Sequence, residues 1–342
     1  MEAIILAGGF GTRLRPFTYT RAKSLLPILN KPMISYLIST LPNKVNKIIV
    51  AVNYRKDQIE EYFNKNNFGK EIIVNDEPKP LGTAGAVKFA DKHISGPFFV
   101  LNADTICSLD INKMIDFHNK KNAFCTISLW PIENVSEFGV VDIKGDGNVI
   151  GFVEKPKPED APSDLINAGA YLLKQEVLDY IETDRLVSME KEIFPRIIND
   201  TGKFYGYKIK GHWIDVGRIK SYIDVNKLLM ENSNLHFIKG NNSTIKGKLI
   251  KSCIGNNVLI EDNSKIESTV IMDNVKIEKD VKLYNCVIGE NCIVKHNSKL
   301  TNTAVGDYEI VDENTFFDNK IIWNQPIPKG YPKKQIGNVI GE

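Results

Sequence analysis

Ala3 to Ala7 is an uninterrupted apolar run that stops at Gly8-Gly9-Phe10-Gly11-Thr12-Arg13-Leu14-Arg15-Pro16. No other stretch of the chain restricts its fold as tightly. A short continuous apolar segment closed by glycines predicts a buried parallel strand followed by a tight loop. Three glycines within four positions let the backbone approach a ligand and aim successive N–H groups at an anion. Arg13, Arg15 and, a little further on, Lys23 add three cations. Leu6, Ala7, Gly8, Gly9, Gly11, Thr12, Arg13 and Lys23 thus make a candidate polyphosphate cradle. A glycine-rich turn with solvated arginines is the plainer reading of the same residues. Spacing disposes of two other motifs. A Walker loop ends in Gly-Lys-Ser/Thr, whereas Gly11 is followed by Thr12-Arg13. A dinucleotide fingerprint counted from Gly9 needs glycine where Leu14 stands.

The chain then alternates. Pro32 suits the first residue of a helix through Met33, Ile34, Leu37, Ile38 and Leu41. Lys47 to Val52 predicts a strand, Arg55 to Asn64 a polar helix, Glu71 to Val74 a strand, Thr83 to Lys92 a helix and Pro97 to Asn102 a strand. Such alternation argues for a doubly wound, Rossmann-like sheet with ligands at the carboxyl ends of its strands. From Thr126 the pattern turns antiparallel, through Thr126 to Pro131, Gly139 to Ile143, Val149 to Val153 and Ile166 to Leu173, so the α/β sheet is expected to be mixed. Glu190 to Ile198 and Ile219 to Met230 read as amphipathic helices, the second linking the domains.

Composition excludes several classes. A formal charge of +2 over 342 residues provides no broad basic field for nucleic acid. No apolar window reaches the ~18 residues of a membrane span, and Met1-Glu2 leaves no room for a signal peptide. The odd number of cysteines, Cys107, Cys125, Cys253, Cys286 and Cys292, includes no Cys-x-x-Cys pair. Reduced thiols in a cytoplasmic protein are expected, without zinc.

The glycine loop continues into Lys23, Leu26-Pro27 and Asn30-Lys31-Pro32, and six further blocks follow in order. They are Leu81-Gly82-Thr83-Ala84-Gly85, Phe98 to Asp104, Phe138-Gly139-Val140-Val141, Val153-Glu154-Lys155-Pro156 with Ile166-Asn167-Ala168-Gly169, Glu190 to Pro195, and Trp213-Ile214-Asp215-Val216-Gly217. Together they resemble the sugar-1-phosphate nucleotidyltransferases, and within them most closely the mannose-1-phosphate guanylyltransferases. The resemblance covers about the first 230 residues. It implies transfer of a nucleotidyl group from GTP to mannose 1-phosphate with release of pyrophosphate. UTP or dTTP with glucose 1-phosphate is the alternative, and a regulatory paralogue that binds nucleotide sugar without turnover is the non-enzyme one. The same resemblance assigns Asp104 and Asp215 to Mg²⁺, and Asn167 and Gly169 to the sugar wall. An aspartate after a strand is by itself more often a cap or turn former.

The remaining candidates combine chemistry with resemblance. Asp76-Glu77-Pro78-Lys79-Pro80-Leu81-Gly82 is a proline-stiffened loop in which Gly82, with Thr83 after it, admits a flat base. Related enzymes for thymidine or uridine nucleotides carry glutamine where Glu77 aligns. A carboxylate only accepts, which suits the adjacent N1–H and N2–H donors of guanine; a solvated loop charge is the other reading. Gly139 leaves space against a sugar ring, Glu154 can accept from vicinal hydroxyls, and Lys155 is a compact charge for the sugar phosphate. An adjacent Glu-Lys pair is by default a surface ion pair, so these roles rest on the resemblance. Arg13 and Lys23 complete the catalytic set with the two aspartates.

The last third of the chain has its own period. Ile254, Ile260, Ile266 and Met272 recur every six residues, then Ile277, Leu283, Ile288, Val294 and Leu300 at five or six. This resembles the hexapeptide repeats of left-handed parallel β-helices, about three coils of them. Open stacks of this kind often associate, so a homo-oligomer is expected. Acyltransferases share that fold, but His296 has no evident partner and reads as a surface residue. The expected organisation is therefore a catalytic domain over 1–232, a β-helix over 233–305 and a tail over 306–342 packed on the body.

Overall fold

The computed structural model describes residues 1–329 and 331. They form two compact units, one of Met1–Gly9 with Ile34–Trp213, the other of Phe10–Met33 with the chain from Ile214 onward. The glycine-rich run is thereby divided: Gly8 and Gly9 stay with the strand, while Gly11 to Lys23 group with the C-terminal half.

The first unit is built on a nine-stranded sheet. Its strands are β1 (Glu2–Leu6), β2 (Lys47–Val52), β3 (Glu71–Asp76), β4 (Phe98–Asn102), β5 (Cys125–Pro131), β6 (Gly139–Ile143), β7 (Val149–Glu154), β8 (Leu165–Leu173) and β9 (Phe204–Lys208). The order runs β7-β6-β8-β4-β1-β2-β3, with β5 also on β8 and β9 on β5. The apolar strand β1 lies at the centre, parallel to β2 and β4. Ile4, Ile5, Ile49, Val50 and Val100 are wholly buried, as strands covered on both faces require. Strand β8 is antiparallel to β4, β5 and β6, so the sheet is mixed, as the change of pattern after Thr126 predicts.

Helices α1 (Met33–Thr40), α2 (Lys56–Lys65), α3 (Gly82–Phe89), α4 (Ile111–Lys120) and α5 (Phe194–Thr201) connect these strands. Three differ from the sequence reading. Pro32 is not the first helical residue: it pairs with Pro27 in a two-residue ladder, and α1 starts at Met33. Helix α4 is additional to the expected elements; Asp110 caps it by accepting from the Lys113 N–H at 3.1 Å, and Ile111, Met114, Ile115 and His118 are its buried side. The expected helix Glu190 to Ile198 is a π-turn over Met189–Ile193 that passes into α5.

In the second unit α6 (Ile219–Asn232) leads into three all-parallel sheets of six, five and five strands. They are the three faces of the expected left-handed parallel β-helix. It continues through Ile321–Ile322, so Asp307 to Ile322 extends the coils rather than forming a tail, and the described residues make five turns instead of three. Pro332 and the rest of the expected tail beyond Tyr331, with Gly330, lie outside the described residues.

After a first coil in which Thr244 pairs with Leu259, 15 residues on, the repeat is 17 residues per coil, as in the hydrogen bond from Asn257 to Asn274, which is two sixes and a five. Interior positions are therefore Ile254, Ile260, Ile266, Ile271, Ile277, Leu283, Ile288, Val294, Leu300, Val305 and Val311. Met272, expected on the axis from a strict period of six, is displaced by Ile271 and lies 3.4 Å from an Arg21 nitrogen. At the corners Asn257, Asn274, Asn285, Asn302, Asn297 and Asn314 hold positive φ, which asparagine tolerates better than most residues. Their side-chain amides stack from coil to coil at 2.7–3.0 Å. The Cys253, Cys286 and Cys292 thiols are buried and pushed up to about 12 by desolvation, which makes them packing groups. His296 is half exposed, 3.5 Å from Glu278. No helix among the described residues is long and apolar enough to cross a membrane.

Ile271→Ala should cost about 2–5 kcal/mol, as for other buried isoleucines truncated to alanine. Thermal and urea unfolding will read this loss, and a strict six-residue register would instead leave Ile271 outside and the substitution nearly silent.

Candidate active site

The carboxyl ends of the parallel strands bring together the candidates of the first unit. The Ala7 N–H donates to the Ala51 carbonyl at 2.9 Å and the Ala103 N–H to the Leu6 carbonyl at 3.2 Å, so the chain leaves β1, β2 and β4 at one edge. Gly8 stands there in close quarters: a methyl group would lie 3.3 Å from the Asn53 nitrogen and 3.7 Å from Glu77 Oε1. Glu77 is buried, accepts from the Leu81 N–H at 3.3 Å and has its pKa raised to about 7. Desolvation is the chief cause and the neighbouring Asp76 charge adds to it. Glu77 is therefore an interior group beside the glycine turn and not a solvated loop charge.

Gly82 and Thr83 serve first to fix the start of α3. Gly82 has φ +76°, and a methyl group on it would sit 2.6 Å from the Val187 carbonyl oxygen. The Thr83 hydroxyl donates to Glu190 Oε2 and accepts from the Met189 N–H, both at 2.8 Å.

The antiparallel half supplies a second group. A methyl group on Gly139 would meet the Phe152 ring at 2.4 Å and Glu154 Oε2 at 2.8 Å. Its emptiness is thus filled by those side chains. Lys155 has φ +51° and donates its N–H to the Phe138 carbonyl, which turns the chain just after Glu154. Its ammonium is largely exposed, 3.7 Å from Glu154. Asn167 Oδ1 accepts from the Gly169 N–H at 3.0 Å and its amide donates to the Tyr171 hydroxyl at 2.8 Å. These bonds brace a break in the β8–β5 register between Asn167 and Tyr171. Gly169, at φ +80°, lies against Asn102 and Thr105, where a methyl group would be 2.8 Å from the Asn102 amide nitrogen. Asp104, half-buried, follows two residues after β4.

Glu190 is the residue that sequence reasoning missed. It stands within the quoted block Glu190 to Pro195 but reads there as the polar face of a helix. The π-turn holds it instead against Thr83 and Ser188, each donating to Oε2 at 2.8 Å. It also bears on Glu154, whose pKa is raised by desolvation first and by the Glu190 charge second. A π-turn inside a helical stretch, with a cluster of acids around it, is the signal available in principle.

The other candidates belong to the second unit. Gly11 has φ +62°, and its carbonyl accepts from the Thr18 hydroxyl at 2.9 Å and from the Leu14 N–H at 2.9 Å. Thr12 and Arg13 open the short turn after it. Lys23 packs its stem against Gly11, where a methyl group would be 3.2 Å from Lys23 Cβ. Arg13 Nη2 is 3.8 Å from Asp215 Oδ2. Gly217 leaves the space for that approach, since a methyl group there would lie 2.6 Å from Asp215 Oδ2 and 2.8 Å from Arg13 Nη2. A cation of the glycine loop and a carboxylate distant in sequence thus face each other.

Residues 2–232 match the nucleotidyl transferase family model, and residues 240–336 match that of the GMPPB C-terminal domain. The chain belongs to the nucleotidyl transferase family. A mannose-1-phosphate guanyltransferase of Saccharomyces cerevisiae is 40% identical over 231 residues, covering 65% of this chain and 63% of that one. Another, from Yarrowia lipolytica, is 37% identical over 273 residues, covering 78% and 73%. Among solved structures, HddC from Yersinia pseudotuberculosis complexed with GMP-PN is similar, with a TM-score of 0.56 and 31% identity over 67% of this chain and 99% of that one.

Replacing Glu190 by Gln should lower the Glu154 pKa toward the ordinary carboxylate range, because a repulsive charge is removed while a similar shape is kept. Carboxyl-carbon NMR titration of the two proteins will show it; an unmoved Glu154 would mean the two acids do not interact.

Proposed function

We propose that this protein transfers a guanylyl group from GTP to mannose 1-phosphate, forming GDP-mannose and pyrophosphate. Family membership and the named relatives support sugar-phosphate nucleotidyl transfer, and one observation carries the choice of base. Glu77 is a buried carboxyl group within 3.7 Å of a methyl position on Gly8, in the loop that this proposal assigns to the base. When ionised it presents acceptors only, matching N1–H and N2–H of guanine.

The acceptor is a phosphate that is already ionised at neutral pH, so no side chain need remove a proton from it. Catalysis then consists of positioning and of charge neutralisation. The amides of Gly8 to Thr12 and the side chain of Arg13 bind the β- and γ-phosphates, and Lys23 the α-phosphate. Lys155 orients the acceptor phosphate. Gly139, Glu154, Asn167 and Gly169 form the sugar wall, with Glu154 accepting from hydroxyls. Asp104 and Asp215 would hold Mg²⁺, which adds positive charge to the reacting phosphates when bound. The donors fit that ion: both are hard carboxylate oxygens, and the Asp215 side chain keeps 23% of its surface exposed. Among the described residues no group of three or more His, Cys, Asp or Glu side chains could hold a metal. Self-association through the β-helix and a cytoplasmic location belong to the same proposal.

The state of Glu77 also favours a specific second reading. Protonated, it offers one donor and one acceptor, the pattern that an amide offers the imide edge of uracil or thymine. UTP or dTTP with glucose 1-phosphate is that alternative.

The two readings differ in pH dependence. With a Glu77 pKa of about 7, GTP binding requires the ionised form, so KM for GTP should rise roughly tenfold per pH unit below that value. UTP should show no such rise. Glu77→Gln should remove the slope and shift preference toward pyrimidine nucleotides. Pyrophosphate release measured with four nucleoside triphosphates and several hexose 1-phosphates between pH 5.5 and pH 8 will test both; a flat GTP profile would sink the guanine assignment.

A further inference from the structure

The segment Phe10–Met33 contains Gly11, Thr12, Arg13 and Lys23, yet its own secondary structure amounts to three 3₁₀ turns and a two-residue ladder. Its fixed points are supplied by the β-helix. Arg21 is nearly buried, with 12% of its side chain exposed, and meets Asp307 at 2.6 Å and Glu290 at 2.8 Å. The Thr20 hydroxyl donates to the same Asp307 Oδ2 at 2.5 Å. Asn30 donates to the Ile254 carbonyl at 2.7 Å. Beyond the last strand, Trp323 stacks on Tyr19 with ring centres 5.0 Å apart, and the Arg15 guanidinium lies 4.6 Å from the Tyr331 ring centre. The Tyr331 hydroxyl donates to the Phe10 carbonyl at 2.5 Å and pairs with the Thr18 hydroxyl at 2.8 Å. Thr18 in turn holds the Gly11 carbonyl.

Asp307 does two jobs with two oxygens. Oδ1 accepts from the Glu290 N–H at 2.7 Å, as Asp273 Oδ1 accepts from the Asn256 N–H two coils earlier. That bond belongs to the coil. Oδ2 turns outward to Thr20 and Arg21, a use the coil does not need. Similarly, the Tyr331 hydroxyl reaches the carbonyl immediately before Gly11, a bond that nothing in the stacking of the coils demands.

We propose that Arg21, Asp307 and Tyr331 are positioning residues for nucleotide binding, through which the β-helix sets the geometry of the Gly11–Arg13 turn and of Lys23. The anchors bracket both: Tyr331 and Thr18 fix the turn from either side, and Arg21 stands two residues before Lys23. None of the three side chains has to touch a ligand. The effect should fall on the nucleoside triphosphate, whose phosphates the segment would bind, and leave the sugar phosphate untouched. This inference rests on the reading of the segment as the polyphosphate cradle.

The test uses the full-length protein and steady-state kinetics with GTP and mannose 1-phosphate. Asp307→Asn keeps an acceptor at Oδ1 and removes the charge from Arg21; Tyr331→Phe removes only the hydroxyl. Losing one charge-assisted or buried bond of this kind corresponds to about tenfold. We expect KM for GTP to rise, or kcat to fall, by about that factor in each variant, with KM for mannose 1-phosphate within about twofold. Arg21→Lys, which restores a cation without the two-pronged geometry, should recover part of what Arg21→Ala loses. Thermal unfolding of each variant accompanies the kinetics. Unchanged constants for both substrates in Tyr331→Phe overturn the proposal, as does an equal rise in both KM values or a loss that merely follows the melting temperature. Should Asp307→Asn fail to fold, Tyr331→Phe alone decides. An inactive wild-type protein that binds no GTP overturns the functional reading itself, which distinguishes the two failures.

Discussion

A segment without long helices or strands cannot satisfy its own backbone groups or bury its own side chains, and it keeps a defined shape only if something else does both. Phe10–Met33 is such a segment. The rest of the second unit supplies what it lacks in three ways: an ion pair taken out of water at Arg21, an aromatic cluster around Tyr19, and a hydrogen bond to the Phe10 carbonyl. The ion pair is the demanding one. Burial alone would lower the Arg21 pKa, and Asp307 and Glu290 more than offset it, so that the pKa is raised. A buried guanidinium stripped of either carboxylate would be strongly destabilising. The position of Arg21 therefore depends on the register of the β-helix that presents those acids.

That register follows from the 17-residue coil. A strict six-residue period would carry each apolar position one step out per turn, and the five-residue face corrects it. Glu290 and Asp307 are one coil apart and so stack on one corner, as Asp273 does before them. Met272 leaves the axis to the same end: displaced by Ile271, its sulfur meets the guanidinium flanked by the two acids. The repeat thus produces both a dry core of stacked isoleucine, leucine and valine and a regularly spaced corner of acids.

Much of this was legible in the residues, and the exceptions have a common cause. The alternation of apolar runs and helical patterns specified the mixed sheet, because burial on both faces leaves a signal in every strand. The family blocks specified Asp104, Asp215 and Glu154 by type and order. What the sequence concealed was the company each residue keeps. Gly82 reads as space for a base, and the Val187 carbonyl that stands where its side chain would be is not legible in the residues. Asn167 reads as part of a sugar wall, and the bonds by which its amide also braces the Gly169 N–H and the Tyr171 hydroxyl are not legible there. Glu190 reads as helix surface, because a π-turn shifts a side chain by an amount that a 3.6-residue period cannot register. Asp307 reads as the beginning of a tail, because a repeat that mixes fives with sixes loses its phase when only sixes are counted.

The acids of the first unit illustrate what such concealed company can do. Glu77 and Glu154 are both raised above the ordinary carboxylate range, chiefly by desolvation, and in each case a neighbouring acid adds to the effect: Asp76 for one, Glu190 for the other. Ionisation of either costs free energy in the empty protein. A ligand that brings hydrogen-bond donors recovers that cost, whereas one that brings acceptors leaves the carboxyl protonated. Selectivity then resides in the difference between two protonation states and not in shape alone. If Glu77 meets the base as proposed, its balance point near neutrality lets it accept guanine when ionised and reject it when protonated. A glutamine at this position would have a single pattern at every pH. The carboxyl group gives a sharper distinction between bases at high pH at the expense of a weaker one at low pH.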